Sequence, residues 1–223
     1  MLNRHALIAL PILALLGGCV QGPQPVLSLA DQTCPPGTNR SQPLVPTEYN
    51  KPGGGNPSGV TIAEIRADTS CAEIDGRKTT IALVSLPEYV APYRLTLSSV
   101  VSASGAVWPP NIQVQDVNRV PLRTIPFDMF KLDNQRFLIE FFPKANERFL
   151  LLSTDMTKLG TTGSYMANIE GTASGGMMIG STFVAIPGTP SRQETRTYQF
   201  SHNGTLRTVI QYMEHKNLPA NAP

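Results

Sequence analysis

The chain has 223 residues, 18 basic against 16 acidic side chains, a formal net charge of +2 and a hydrophobic fraction of 41%. Its basic residues are scattered, which argues against a nucleic-acid stripe and against a polybasic patch for anionic lipid. The 20 prolines and 18 glycines fit a β-rich domain with long loops and a flexible lead-in.

The chain opens with Arg4, then an apolar run from Ala6 to Leu16 interrupted only by Pro11, then Gly17, Gly18 and Cys19. This is the layout of a secretory signal peptide. The run is too short to span a bilayer, which needs about 20 apolar residues. The stretch Leu16-Gly17-Gly18-Cys19 resembles a bacterial lipobox. That resemblance implies cleavage before Cys19, diacylation of its thiol and acylation of the new amine. One acyl chain holds a membrane marginally, at about 0.8 kcal/mol per buried methylene, and several chains give a lasting anchor. The alternative is an ordinary cleaved signal with an incidental cysteine. Val20 and Gln21 follow, with no Asp beside the cysteine. By resemblance to enteric sorting signals, this points to the outer membrane, with the domain on its periplasmic face.

Residues 19–59 hold Pro23, Pro25, Pro35, Pro36, Pro43, Pro46, Pro52 and Pro57 together with Gly53, Gly54 and Gly55. Few apolar residues and no period leave too little surface to offset the entropy of ordering, so a tether is expected here. With Cys19 acylated, Cys34 and Cys71 remain, and two cysteines in an oxidising compartment suggest one disulfide. Closing such a loop stabilises by roughly 4 kcal/mol on the chain-entropy model. The alternative is two unpaired thiols. No CxxC, HExxH or clustered histidine accompanies them, so neither a metal nor a cofactor is expected.

A single domain is expected over 60–212, followed by a tail at 213–223. Residues 60–66 (VTIAEIR) suit one turn of helix or a short strand, the helix being favoured by Ala63, Glu64 and Ile65. Residues 79–85 read as a strand that is apolar on both faces. In 93–101, Tyr93, Leu95 and Leu97 alternate with Arg94, Thr96 and Ser98, the period of a half-buried strand. Residues 111–117 alternate again through Ile112 and Val114. A long connection at 118–135 is expected to fold Phe127, Met129 and Phe130 back onto the sheet. Strands follow at 136–142, through Phe137, Ile139 and Phe141, and at 147–154, whose two apolar faces place it centrally. Residues 155–159 suggest a helical turn, 161–176 a Gly/Ser/Thr-rich loop and 177–186 a strand. Asn203-Gly204 is a strong signal for a hairpin between 196–202 and 205–212. Short strands, Gly/Pro turns and no sustained helical period predict an all-β chain, an antiparallel β-sandwich or jelly roll.

The sequence offers no catalytic constellation. There is no GxSxG elbow and no GxxxxGK[ST] loop. His202 lies beside a turn and His215 in the tail. Asp116, Glu140, Asp155 and Glu170 are well separated. A hydrolase needs His202 or a carboxylate pair inside a deep pocket. Binding is the better class. Trp108, the only tryptophan, lies in a loop before Pro109-Pro110, where an exposed indole can stack on a sugar ring. The alternative, that it caps the core at a strand end, is favoured because large aromatics are mostly buried. Tyr165 and Tyr49 are further ligand-binding candidates.

Residues 93–101, the segment PPNIQVQDVNRVPL and the later run RFLIEFFPKANERFLLLSTDMTKLGTT resemble the MalM family, the maltose operon periplasmic proteins. Pro110-Asn111, Asp116-Val117-Asn118 and 151–158 carry the match, and 205–212 looks like that family's closing strand. The resemblance covers roughly 60–212. It implies an exported, non-enzymatic β domain linked to maltodextrin uptake, a carbohydrate partner or a transporter being the expected contact. The alternative is a structural adaptor of a cell-envelope assembly that binds protein through a sheet edge or an apolar patch.

Overall fold

Alternating side chains decide most of this architecture, and the computed structural model shows how. It describes residues 28–30, 32–36, 42–55, 57–74, 76–171, 175–179, 182–186 and 188–213. The signal, Cys19, the tail and His215 lie outside the described residues. In chain order the strands are β1 (Thr47–Tyr49), β2 (Thr61–Ile65), β3 (Cys71–Ile74), β4 (Arg77–Ser85), β5 (Tyr93–Val100), β6 (Ala106–Val107), β7 (Pro110–Gln115) and β8 (Pro121–Ile125). A single 3-10 turn, Phe127–Met129, leads to β9 (Lys131–Asp133), β10 (Arg136–Phe141), β11 (Phe149–Thr154), β12 (Thr162–Ile169), β13 (Gly175–Ile179), β14 (Thr182–Ile186), β15 (Arg192–Phe200) and β16 (Gly204–Tyr212). No α-helix occurs among the described residues.

Two sheets make the sandwich. One runs β1-β16-β5-β10-β9, with β2 also on β16; the other runs β3-β4-β11-β7-β8. The strands that alternate in sequence alternate in burial. Tyr93, Leu95 and Leu97 on β5, Ile112 and Val114 on β7, and Leu206 and Ile210 on β16 face one core, which also takes Leu150 and Leu152 from β11. Fully burying each such side chain contributes about 1.5–3 kcal/mol. Strand β11 is central, as its two apolar faces require: β4 and β7 flank it. Its outward Leu151 joins Ala72, Ile81 and Leu83 in a second, smaller cluster.

The structure corrects several expectations. Residues 61–65 form a strand, not a helical turn, because β16 offers them an antiparallel partner from Gly204 to Thr208; pairing outweighs the weak helical preference of Ala63 and Glu64. Residues 42–51 are not free tether. Strand β1 lies parallel against Val209–Gln211, and Leu44 bonds β4 on both sides, its N–H to the Leu83 carbonyl and its carbonyl from the Ser85 N–H, each at 2.8 Å. Residues 155–159 make a hydrogen-bonded turn outside any helix, with the Lys158 N–H donating to the Asp155 carbonyl at 3.2 Å. The loop expected at 161–176 contains β12.

Asn203-Gly204 does not turn a hairpin. Strand β15 pairs with β12 and with β6, while β16 pairs with β1, β2 and β5. The chain changes sheets at 201–203. Asn203 Oδ1 accepts from the Ala67 N–H at 2.7 Å. Gly204 packs so close to Trp108 that a Cβ there would lie 2.6 Å from the Trp108 nitrogen. The glycine serves close backbone approach.

Strands β12 and β15 form a long ribbon that β13 and β14 resume. Ile169 pairs with Arg192 in the first ladder and Gly175 with Ile186 in the second, and the two are separate sheets.

At the opposite end of the sequence order, Cys34 and Cys71 are joined in a disulfide, with their Cα atoms 5.3 Å apart. With Leu29 and Ala67 they form a small buried cluster beside β3.

Candidate functional site

Trp108 sits between β6 and β7 with none of its surface exposed. Its Nε1–H donates to Thr154 Oγ1 at 2.8 Å, and its carbonyl accepts from the Ser99 hydroxyl. The indole N–H and the carbonyl thus both have partners inside the core, the first being the condition for burying an indole. Trp108 caps the core, the reading its size favoured, and offers no stacking platform for a sugar. Tyr165 on β12 is also buried and packs at 6.5 Å between ring centroids from Tyr198. Neither residue presents an open ring face to solvent. Tyr49 is half-buried on β1.

His202 is buried, its Nδ1 lying 3.2 Å from the Thr80 hydroxyl. Burial holds its pKa below the usual imidazole value. Among the described residues no hydrogen bond joins it to a carboxylate that would orient it as a base. Of Asp116, Glu140, Asp155 and Glu170, the first three are engaged in structural roles. Asp116 Oδ1 accepts from the Asn118 and Val120 N–H groups at the β7–β8 turn, both at 2.8 Å. Glu140 accepts from Arg94 and Thr96, and Asp155 accepts from the Thr157 N–H and hydroxyl. A cleft of about 260 Å³ opens between β2 and β4, lined by Leu44, Ala63, Ile65, Ala82, Leu83 and Glu64, among others. No aromatic ring lines it. Glu64 there accepts from the Thr205 hydroxyl at 3.0 Å.

The feature that sequence reasoning missed lies on the side where both sheets end. Strand β8 closes one sheet and β9 the other, and the 3-10 turn joins them across the sandwich edge. Phe127 and Phe130 fold inward, as their place in the connection predicts. Phe127 stacks on Phe130 at 5.1 Å and meets Phe137 at 5.3 Å, while its N–H donates to Asn111 Oδ1. Met129 points outward instead. Of the ten exposed large hydrophobic residues among those described, five fall in this one segment: Val117, Val120, Leu122, Met129 and Leu132. Singly scattered apolar residues are ordinary on a surface, and half of them falling in one short segment is not. The free edge adds unpaired backbone N–H and C=O groups.

The backing of this edge is rigid. Glu147, only 2% exposed, takes two bonds from Arg123 on β8, at 2.8 and 3.0 Å, and one from the Lys144 N–H at 3.0 Å. The Arg123 guanidinium also lies 5.3 Å from the centre of the Phe141 ring on β10, bridging the two sheets. Lys158 binds Asp128 at 2.6 Å, and this contact raises the lysine pKa. The sequence hinted at the segment only through the apolar residues spread from Val117 to Leu132, and nothing local told inward from outward.

The chain matches no protein-family model, no curated protein and no solved structure.

Proposed function

We propose that the chain is an exported lipoprotein, acylated at Cys19 and held at the periplasmic face of the outer membrane, whose β-sandwich acts without catalysis as an adaptor for another envelope protein. The observation that carries the adaptor role is that Val117, Val120, Leu122, Met129 and Leu132 are all exposed within the one segment that carries β8 and β9, the edge strands of the two sheets. An extended apolar segment of a partner suits such an edge, adding a strand through its backbone and seating alternate side chains on the leucines. The lipobox-like sequence supports the anchor. The resemblance to the MalM family supports a partner in carbohydrate uptake. With Trp108 withdrawn into the core, that link is better made through a transporter protein than through the sugar itself.

The test is photo-crosslinking in cells from positions 122 and 132. One protein partner should be recovered in constant ratio, and Val117→Asp with Met129→Asp, at two of the most exposed positions of the segment, should abolish it with little change in melting temperature. Titration with maltodextrins should give no heat. Heat of binding, with no partner recovered from the edge, would overturn the adaptor reading in favour of direct sugar binding. An unmodified amino terminus in the mass spectrum of the mature protein would remove the anchor.

A further inference from the structure

We infer that residues 32–36 form a redox-sensitive cover over the outer edge of β3, held shut by the Cys34–Cys71 disulfide and released when a dithiol reduces it. The inference depends on neither the anchor nor the adaptor role. Strand β3 ends its sheet, and the cover lies along its outer side. Pro36 bridges to Glu73 in parallel, and the Glu73 N–H donates to the Pro35 carbonyl at 3.0 Å. A bare strand edge offers its N–H and C=O groups to other chains, so the cover withholds a pairing site.

The cover has few bonds of its own. Pro35 and Pro36 carry no N–H, so neither can donate to β3. Gln32 Oε1 is buried with no hydrogen-bond partner among the described residues, which opposes the closed position. In its favour stand the Glu73 bond, the buried Leu29 and a bond of 2.7 Å from Lys78 Nζ to the Ala30 carbonyl. These contacts act against the conformational entropy of every residue that the cover orders. The disulfide decides the balance. It holds Cys34, the residue just before Pro35-Pro36, with its Cα 5.3 Å from that of Cys71.

The disulfide also has an approach. Cys71 and Pro35 both line the cleft between β2 and β4. One thiolate of a dithiol reductant entering there attacks Cys71 Sγ, the S–S bond breaks and Cys34 leaves as a thiolate. The reductant's second thiol then displaces Cys71 and closes the reductant's own disulfide. Two electrons pass to the protein, and the reductant's two thiol protons end on Cys34 and Cys71. The cover loses its clamp, and the Glu73 N–H loses its acceptor.

The experiment follows amide hydrogen exchange in the full chain, before and after reduction with dithiothreitol. Exchange at Glu73 should quicken by about tenfold or more, while Leu151, on the central strand β11, stays within about twofold. Reoxidation should restore the slow rate, and Cys34→Ser with Cys71→Ser should match the reduced form. Leu29→Asp with the disulfide intact should leave Glu73 within about threefold of the parent, because the clamp remains. A Glu73 rate unmoved by reduction would show a cover that holds itself, and would overturn the inference. Release by Leu29→Asp as large as release by reduction overturns it too, since the leucine and not the disulfide would then be the clamp. Glu73 and Leu151 quickening together would mean a loosened domain in place of a released cover. A disulfide that resists dithiothreitol in the folded protein overturns the approach through the cleft and the switch with it.

Discussion

Replacing Trp108 by alanine tests whether this residue is core or platform. The side chain is wholly buried, and its indole N–H is bonded to Thr154. Truncating a buried large aromatic costs about 3–5 kcal/mol. The lost hydrogen bond, about 1 kcal/mol in such a setting, is part of that figure. A domain of ordinary stability has about 5–15 kcal/mol in all. With a urea slope of about 1–3 kcal/mol per molar, the unfolding midpoint should fall by about 2 M. Trp108→Phe keeps most of the apolar ring and loses the N–H bond, so about 1–2 kcal/mol is expected. The titration is followed by far-ultraviolet circular dichroism, because each substitution removes the only tryptophan. Native emission in the parent protein should be blue-shifted and protected from iodide. A midpoint unchanged in Trp108→Ala, or emission like that of free indole, would refute the reasoning and return Trp108 to the surface as a sugar platform.

Replacing Cys34 and Cys71 by serine should lower stability by about 4 kcal/mol on the chain-entropy model for a separation of 37 residues; calorimetry showing less than about 1 kcal/mol would contradict that constraint. Glu147→Gln leaves Arg123 without its charged partner, and because Arg123 is 36% exposed the cost should be about 1–3 kcal/mol, below that of a fully enclosed pair. A double-mutant cycle with Arg123→Met checks it, and additive effects would dismiss the coupling. His202 has a folded pKa held below its unfolded value of 6.5 by burial, so the unfolded chain takes up the proton first as pH falls. Its contribution is whole above about pH 6.5 and is lost on acidification below it. His202→Asn should flatten the stability profile between pH 7 and 5, and an unchanged slope would show that the imidazole is solvated.

Fold class was legible because burial writes its period into strands that span the core. The alternation in 93–101 became β5, and the two apolar faces of 147–154 became the central β11. The disulfide was legible because only two cysteines remain once Cys19 is set aside. What failed was every inference that treated a segment apart from its distant partner. Residues 47–49 look like tether, being short, polar and flanked by prolines. Yet they complete an edge, and the Thr47 hydroxyl lies 3.1 Å from that of Thr61 where β1 and β2 meet along β16. Strand β12 was hidden among glycines and serines because half its side chains face solvent, and its ladder is supplied by β15 about 30 residues on.

Asn203-Gly204 shows why a local rule can point at the right residues for the wrong reason. A hairpin turn requires glycine for a positive φ. Gly204 is instead extended at the start of β16, and what excludes a side chain is the Trp108 backbone across the gap. The two requirements arise from different neighbours, one along the chain and one across the fold, and only the second binds the sheet change at 201–203 to the burial of Trp108. The same coupling explains the candidate site. Once Trp108 is locked under Gly204, this end of the sandwich presents no free indole. Half of the large apolar residues left exposed among those described fall instead in the segment from Val117 to Leu132, which carries β8 and β9, and no aromatic ring is among them.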